Sequence, residues 1–253
     1  MRINISPRQI TKLLICIVLI LTVIHCTLQF LEFGLGFDRI SHVRTIFDFE
    51  YDNNLTTWYS SITLLLCSVL LAVIAIAKKK DRDPYSWHWQ ILAVIFAIMS
   101  LDEVAMLHER AGNLIDILSP VEYSGWLNYQ WVLLGIPLTA IIAIAYLRFM
   151  LHLPARTRNL FFLAGALFVG GALGLEMLSG HQASLNNRSS QFLYTLYMTI
   201  EELWEKLGVL VFIHALLTYI EKYISPVQIS IGDNSSSKQA NLSQLRDREY
   251  LSK

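Results

Sequence analysis

The stretch ILAVIFAIMSLDEVAMLHER (91–110) decides the fold class and raises the functional question at once. Its first nine residues carry no polar side chain, and the rest include Asp102, Glu103, His108, Glu109 and Arg110. An apolar run of that kind marks a membrane crossing. Acids at the end of a crossing need a reason, because a charge in a bilayer core costs about 2.5–3.5 kcal/mol on insertion scales.

The chain as a whole reads the same way. Of its 253 residues 54% are hydrophobic and 16% charged, whereas soluble domains carry about a quarter charged. Runs of about twenty apolar residues fall at 10–31, 57–77, 87–109, 127–150, 159–180 and 192–219. They predict an all-α, six-helix integral membrane bundle over residues 1–225. The breaks KKKDRDP (78–84) and LHLPARTR (151–158) are short, polar and contain proline, as helix ends require. The first run ends at VIHC without the small residue that signal cleavage needs, so a retained span is expected. Residues 226–253, rich in Ser, Asn and Gln, read as a disordered cytoplasmic tail. Cys16, Cys26 and Cys67 lack metal-clip spacing and are expected as small buried hydrophobes.

Orientation follows from Lys and Arg. With the N-terminus inside, fifteen of the twenty fall in cytoplasmic segments, four outside, and Lys206 within a span. That bias predicts both termini in the cytoplasm. Net charge is zero, which gives no sign of a nucleic-acid partner. The loop over 32–54 holds five acids and two arginines, with Phe33, Phe37, Phe47, Phe49 and Tyr51. It is expected to rest on the membrane interface, as are the anchors Trp58, Tyr59, Trp87, Trp89, Trp126, Trp131 and Tyr219.

Acids appear inside three spans: Asp102, Glu103 and Glu109 in the third, Glu176 in the fifth, and Glu201, Glu202 and Glu205 in the sixth. At ~1.5 Å per helical residue, Asp102 stands roughly 22 Å above Trp87, and Glu176 about 25 Å above Asn159. Glu205 and Glu201 stand roughly 21 and 27 Å above Tyr219. One layer in the outer third of a ~30 Å core is therefore expected, with His108, Glu109 and His181 at its lip. At ~100° per residue, Glu201, Glu205 and Glu202 share a narrow face, and Asp102 and Glu109 stack two turns apart. Asp102, Glu109, Glu176, Glu201 and Glu205 are the inward set, with Glu103, Glu202, His108 and His181 next. Gly170, Gly171 and Gly174 would let helices close in beside Glu176, and Glu202 and Lys206 are spaced as a helix ion pair.

Seven acids against one intramembrane lysine and two histidines leave surplus negative charge. Such acids either hold protons or bind a cation. Carboxylates with histidines favour Zn, Mn or Fe over Ca or Mg. The leading expectation is a divalent-cation site, catalytic or structural, near the extracytoplasmic face, with a lipid-like substrate or a membrane-protein partner. A non-enzymatic assembly or accessory protein is the first alternative. A proton- or cation-coupled transporter is the second, disfavoured by the lack of an internal repeat. HER (108–110) is not HExxH, and no HxxxH, GxSxG or Walker A pattern occurs, so no reaction is named.

NLTTWYSS (54–61), SLDEVAMLHE (100–109), GGALGLEML (170–178) and TIEELWEKLGVLVFIHALL (199–217) together resemble an uncharacterised group of bacterial multi-pass membrane proteins. The resemblance implies a six-span fold and a bacterial inner or equivalent membrane. It implies no activity.

Overall fold

The computed structural model describes residues 6–37, 41–51, 53–118, 123–185 and 188–224. The expected tail over 226–253 lies outside them. Among the described residues all regular structure is helical: α1 (Pro7–Gln29), α2 (Ser41–Phe47), α3 (Leu55–Lys80), α4 (Ser86–Ala105), α5 (Leu107–Leu118), α6 (Val132–His152), α7 (Ala155–Val169), α8 (Glu176–Ser184) and α9 (Arg188–Tyr223). A π turn at Phe30–Gly34 extends α1, and another at Gly170–Leu175 joins α7 to α8. Six helices or helix pairs are long and apolar enough to cross a membrane: Pro7–Gly34, Leu55–Lys80, Ser86–Ala105, Val132–His152, Ala155–Ser184 and Phe192–Tyr223. Each coincides with an expected crossing and shifts its ends.

Local chemistry sets several of these ends. Ser6 and Gln9 form a reciprocal capping box, with Pro7 in the first turn, so α1 begins before the apolar run does. The Asn54 side chain accepts from the backbone N–H groups of Thr56 and Thr57 and starts α3. Lys78, Lys79 and Lys80 close it, where cations suit the carbonyl end of the helix dipole.

The third crossing departs most from expectation. It does not run to Glu109 but stops at Ala105, because Met106 is left-handed (φ 50°, ψ 46°). A new helix, α5, starts at Leu107. The stacking of Asp102 under Glu109 on one stripe is therefore wrong, since that stripe requires an unbroken helix. Residues 127–131 likewise precede α6 and include the end of a 3₁₀ turn at Gly125–Leu127.

α9 is the central helix, packing on α1, α3, α7 and α8, while α3 and α4 form the most extensive pair. In the α3–α4 pair, Ser61 and Ser100 each donate a hydroxyl hydrogen bond to the other's carbonyl at 2.8 Å. Ser68 donates to the Ala93 carbonyl at 2.8 Å. Small hydroxyl residues join helices this way where apolar burial cannot distinguish protein from lipid. Thr11 and His214 meet at 3.0 Å, which puts the start of α1 beside the end of α9. The outward surface is apolar, with Leu13, Ile141 and Ile144 more than 60% exposed, as the solvent of a membrane domain demands. Trp58, Trp87 and Trp126 lie on that surface as anchors would, but Trp89 and Tyr219 are buried instead. Cys67 is buried as expected, whereas Cys16 and Cys26 face outward.

Two glycines let α9 sit close to its neighbours. A Cβ on Gly208 would lie 2.8 Å from the Phe168 nitrogen and 2.9 Å from the Ala164 carbonyl oxygen. A Cβ on Gly171 would lie 2.9 Å from both the Glu201 carbonyl oxygen and the Glu205 Cγ. Gly170 meets Trp204, but Gly174 has nothing within 4 Å and makes no close approach. Gly208→Ala is expected to lower stability by about 1–3 kcal/mol, the range for overpacking, despite the better helix propensity of alanine. Thermal unfolding of the purified protein checks this, and an unchanged or raised midpoint would contradict it.

Candidate functional site

The acids gather at the end of the bundle opposite Lys78–Lys80. Their centre is Lys206 on α9, 3% exposed. Its ammonium is paired with Glu202 one turn earlier, the helix pair that the i,i+4 spacing predicts. It also interacts electrostatically with Glu103 of α4 and Glu205 of α9. Glu103 lies beside the Ser60 hydroxyl of α3. Glu201 accepts from the Ser179 hydroxyl of α8 at 3.2 Å and feels the charges of Glu176 and Glu202. Glu176 accepts a 2.6 Å hydrogen bond from the Trp131 indole. Carboxylates of α4, α8 and α9 thus lie within electrostatic range of one another.

Several of these acids nonetheless have partners of their own, Asp102, Glu176, Glu201 and Glu202 among them. Asp102 spends both oxygens on the start of α5: one accepts from the His108 backbone N–H at 2.8 Å, the other meets the ring Nδ1 at 2.9 Å. Together with the 2.7 Å hydrogen bond from Met106 N–H to the Asp102 carbonyl, this holds the left-handed turn, a conformation that disfavours a residue with a side chain. Glu109 is exposed at the rim, within electrostatic reach of Glu176 and His108. His181 stacks on Trp126 with 5.0 Å between centroids, and its Nδ1 has no hydrogen-bond partner among the described residues. Among those residues no three His, Cys, Asp or Glu side chains stand together as metal ligands.

Several members of the site escape a reading of the sequence. Trp131 is not an interfacial anchor: besides bonding Glu176, it packs edge-on against His108 at 5.0 Å. Phe49 is not at the interface either. It is buried, stacks flat on His25 at 4.4 Å, and its ring centroid is 4.7 Å from Lys206 Nζ. Of the loop aromatics, Phe33, Phe37 and Tyr51 are exposed. His25, near the end of the first apolar run, donates or accepts at Thr199 of α9 (3.1 Å) and accepts from the Phe49 backbone N–H (3.2 Å). Asp48, fully buried, lies 3.5 Å from the same ring and pairs with Arg44, which also bonds Glu32 at 2.7 Å. A signal for this group exists: a histidine within a span, and an i,i+4 Arg–Asp pair in a loop whose composition suggests an interfacial segment.

The domain of unknown function DUF8692 matches residues 13–220. The chain belongs to that family. No curated protein and no solved structure matches it. Every acid of the layer lies within the matched residues, so the layer is part of the DUF8692 domain itself rather than of an appended segment.

The pKa of His108 is raised. Burial pulls its pKa down, but the hydrogen bond and charge of Asp102 outweigh that, and the imidazole is held above its ordinary value. A raised pKa stabilises the folded state fully below about pH 6.5, the unfolded value, and the contribution is lost as pH rises through the folded value. The pair is partly exposed, so solvent screens it and the effect is modest. Unfolding midpoints measured from about pH 5.5, below the unfolded value, up to about pH 8.5 should fall more for wild type than for His108→Asn. Parallel profiles would contradict the assignment.

Proposed function

We propose that this DUF8692 chain is an integral membrane protein with both termini cytoplasmic, whose acid layer faces the extracytoplasmic side and takes up a divalent cation in exchange for protons. The orientation is supported by the fifteen-to-four distribution of Lys and Arg. The contact of Thr11 with His214, which sets the start of the first long helix beside the last one, is compatible with this orientation. A bacterial inner or equivalent membrane is supported by the sequence resemblance alone.

One observation carries the cation reading: Glu202 alone is paired with the Lys206 ammonium, while Glu103, Glu205 and Glu201 lie within its electrostatic range with no cation of their own among the described residues. In a low-dielectric bundle that charge surplus is relieved by protons or by a bound cation. A site with histidine ligands would favour Zn, Mn or Fe. Here Asp102 engages His108 through Nδ1, and His181 stacks on Trp126 with its Nδ1 unpartnered among the described residues. Carboxylate oxygens outnumber the one open imidazole nitrogen, which suits Mg²⁺, Ca²⁺ or Mn²⁺. Because no three ligands are grouped among the described residues, holding an ion requires the glutamates to turn from their present partners.

Adding MgCl₂, CaCl₂ or MnCl₂ to purified protein in weak buffer is expected to release protons with saturation. Glu201→Gln and Glu205→Gln should each reduce the release and weaken binding about tenfold or more. Wild type that neither binds a cation nor releases protons would sink the reading.

A second reading is favoured by the hydrogen bonds that cross between helices, Trp131 to Glu176 and Ser179 to Glu201. In it the acids join helices in an accessory protein and no ion binds. Glutamine keeps the acceptor oxygen, so the same Gln variants would then leave both stability and proton balance unchanged.

A further inference from the structure

A cavity of about 230 Å³ lies at the opposite end of the bundle, between the last turns of α3, α6 and α9 and the start of α4. Its walls include the rings of Tyr85, Phe149, His152 and Tyr219. Tyr85 and His152 are 4.7 Å apart between centroids, and Tyr85 and Phe149 5.8 Å. Lys78 and Asp83 line the same space, their Nζ and Oδ2 atoms 3.3 Å apart. His152 is exposed, so the cavity reaches the surface. The volume equals roughly seven or eight waters at ~30 Å³ each, enough for a compact polar head group and too little for an acyl chain.

The wall chemistry selects the guest. An anion would meet Lys78 but also the Asp83 carboxylate, and a cation would meet the reverse conflict. A zwitterion with its charges a few bonds apart satisfies both. Capacity remains on each side. Lys78 has three ammonium hydrogens, and its neighbours are Asp83, in an ion pair at 3.3 Å, and the Tyr219 ring, whose centroid is 5.7 Å away. Asp83 accepts from the Tyr85 backbone N–H through Oδ1 and faces Lys78 through Oδ2, leaving lone pairs on both. Ring faces around an ammonium add cation–π attraction. The position also fits, since Lys79, Lys80 and Arg82 beside the cavity are exposed and polar, while Trp87 and Leu151 nearby are exposed and apolar. Such a boundary is where a lipid head group meets its chains.

We propose that this cavity binds the phosphoethanolamine group of a zwitterionic phospholipid, phosphate toward Lys78 and ammonium toward Asp83 and the rings. The test reconstitutes the full chain in nanodiscs of equal parts phosphatidylethanolamine and phosphatidylglycerol, extracts it in mild detergent, and quantifies retained lipid by native mass spectrometry. Wild type should retain phosphatidylethanolamine above the bilayer ratio. Lys78→Gln and Asp83→Asn should each return the ratio to that of the bilayer, with unfolding midpoints near wild type showing that they fold. Competition by soluble glycerophosphoethanolamine would support recognition of the head group itself. Retention without competition would support binding of the membrane-held lipid. Enrichment of phosphatidylglycerol, or an enrichment of phosphatidylethanolamine that both variants keep, would overturn the proposal.

Discussion

A buried ammonium in an apolar helix bundle must have counter-charge, and the end of this structure opposite Lys78–Lys80 is arranged around that requirement at Lys206. Desolvating a lone cation in such a core is prohibitive, so Lys206 exists there only because carboxylates surround it. Glu202 is supplied by its own helix one turn earlier, Glu103 by α4, and Glu205 by the position directly before the lysine. Phe49 covers it from the loop with a ring face, and a cation–π contact is strongest when desolvated. Gly171 and Gly208 bring α9 close enough to its neighbours for the acids to meet.

A second buried charge system, built from His25, Asp48, Arg44 and Glu32, adjoins the first through Phe49. The fixed point is Asp48, which also accepts from the Gln29 side chain and from the Glu50 backbone N–H. Burial of Arg44 and Asp48 with their ion pair makes the loop a closure of the bundle rather than a free segment. Glu50 in turn accepts from Tyr194, which accepts from Tyr129. The loop between α1 and α3 is therefore tied to the start of α9 and to the turn before α6.

The existence of six crossings is legible in the sequence because about twenty apolar residues in a row form little else than a membrane-spanning helix. The acid layer is legible because depth along a helix is arithmetic, and acids in a core stand out. Which face of each helix points inward is not. In a bilayer both the protein core and the lipid are apolar, so the amphipathic stripe that marks buried faces in soluble proteins fades. Trp89 and Tyr219 look like anchors for that reason, yet both are buried. The break at Met106 is hidden differently. The apolar pattern continues through it, and only the double use of the Asp102 carboxylate by His108 makes a left-handed methionine tolerable. Phe49 looks interfacial because its cradle, His25 and Lys206, is distant in sequence.

The most direct test of the account is a double-mutant cycle on the central pair, with unfolding free energies measured for Lys206→Met, Glu202→Gln and the double variant in one lipid or detergent system. Removing one partner of a buried ion pair costs about 3–5 kcal/mol because the other charge is left unpaired. Lys206→Met should therefore be strongly destabilising, and the double variant should recover much of that loss, giving a coupling energy of about 1 kcal/mol or more. A Lys206→Met protein as stable as wild type, or losses that simply add, would contradict the claim that this ammonium organises the acid layer.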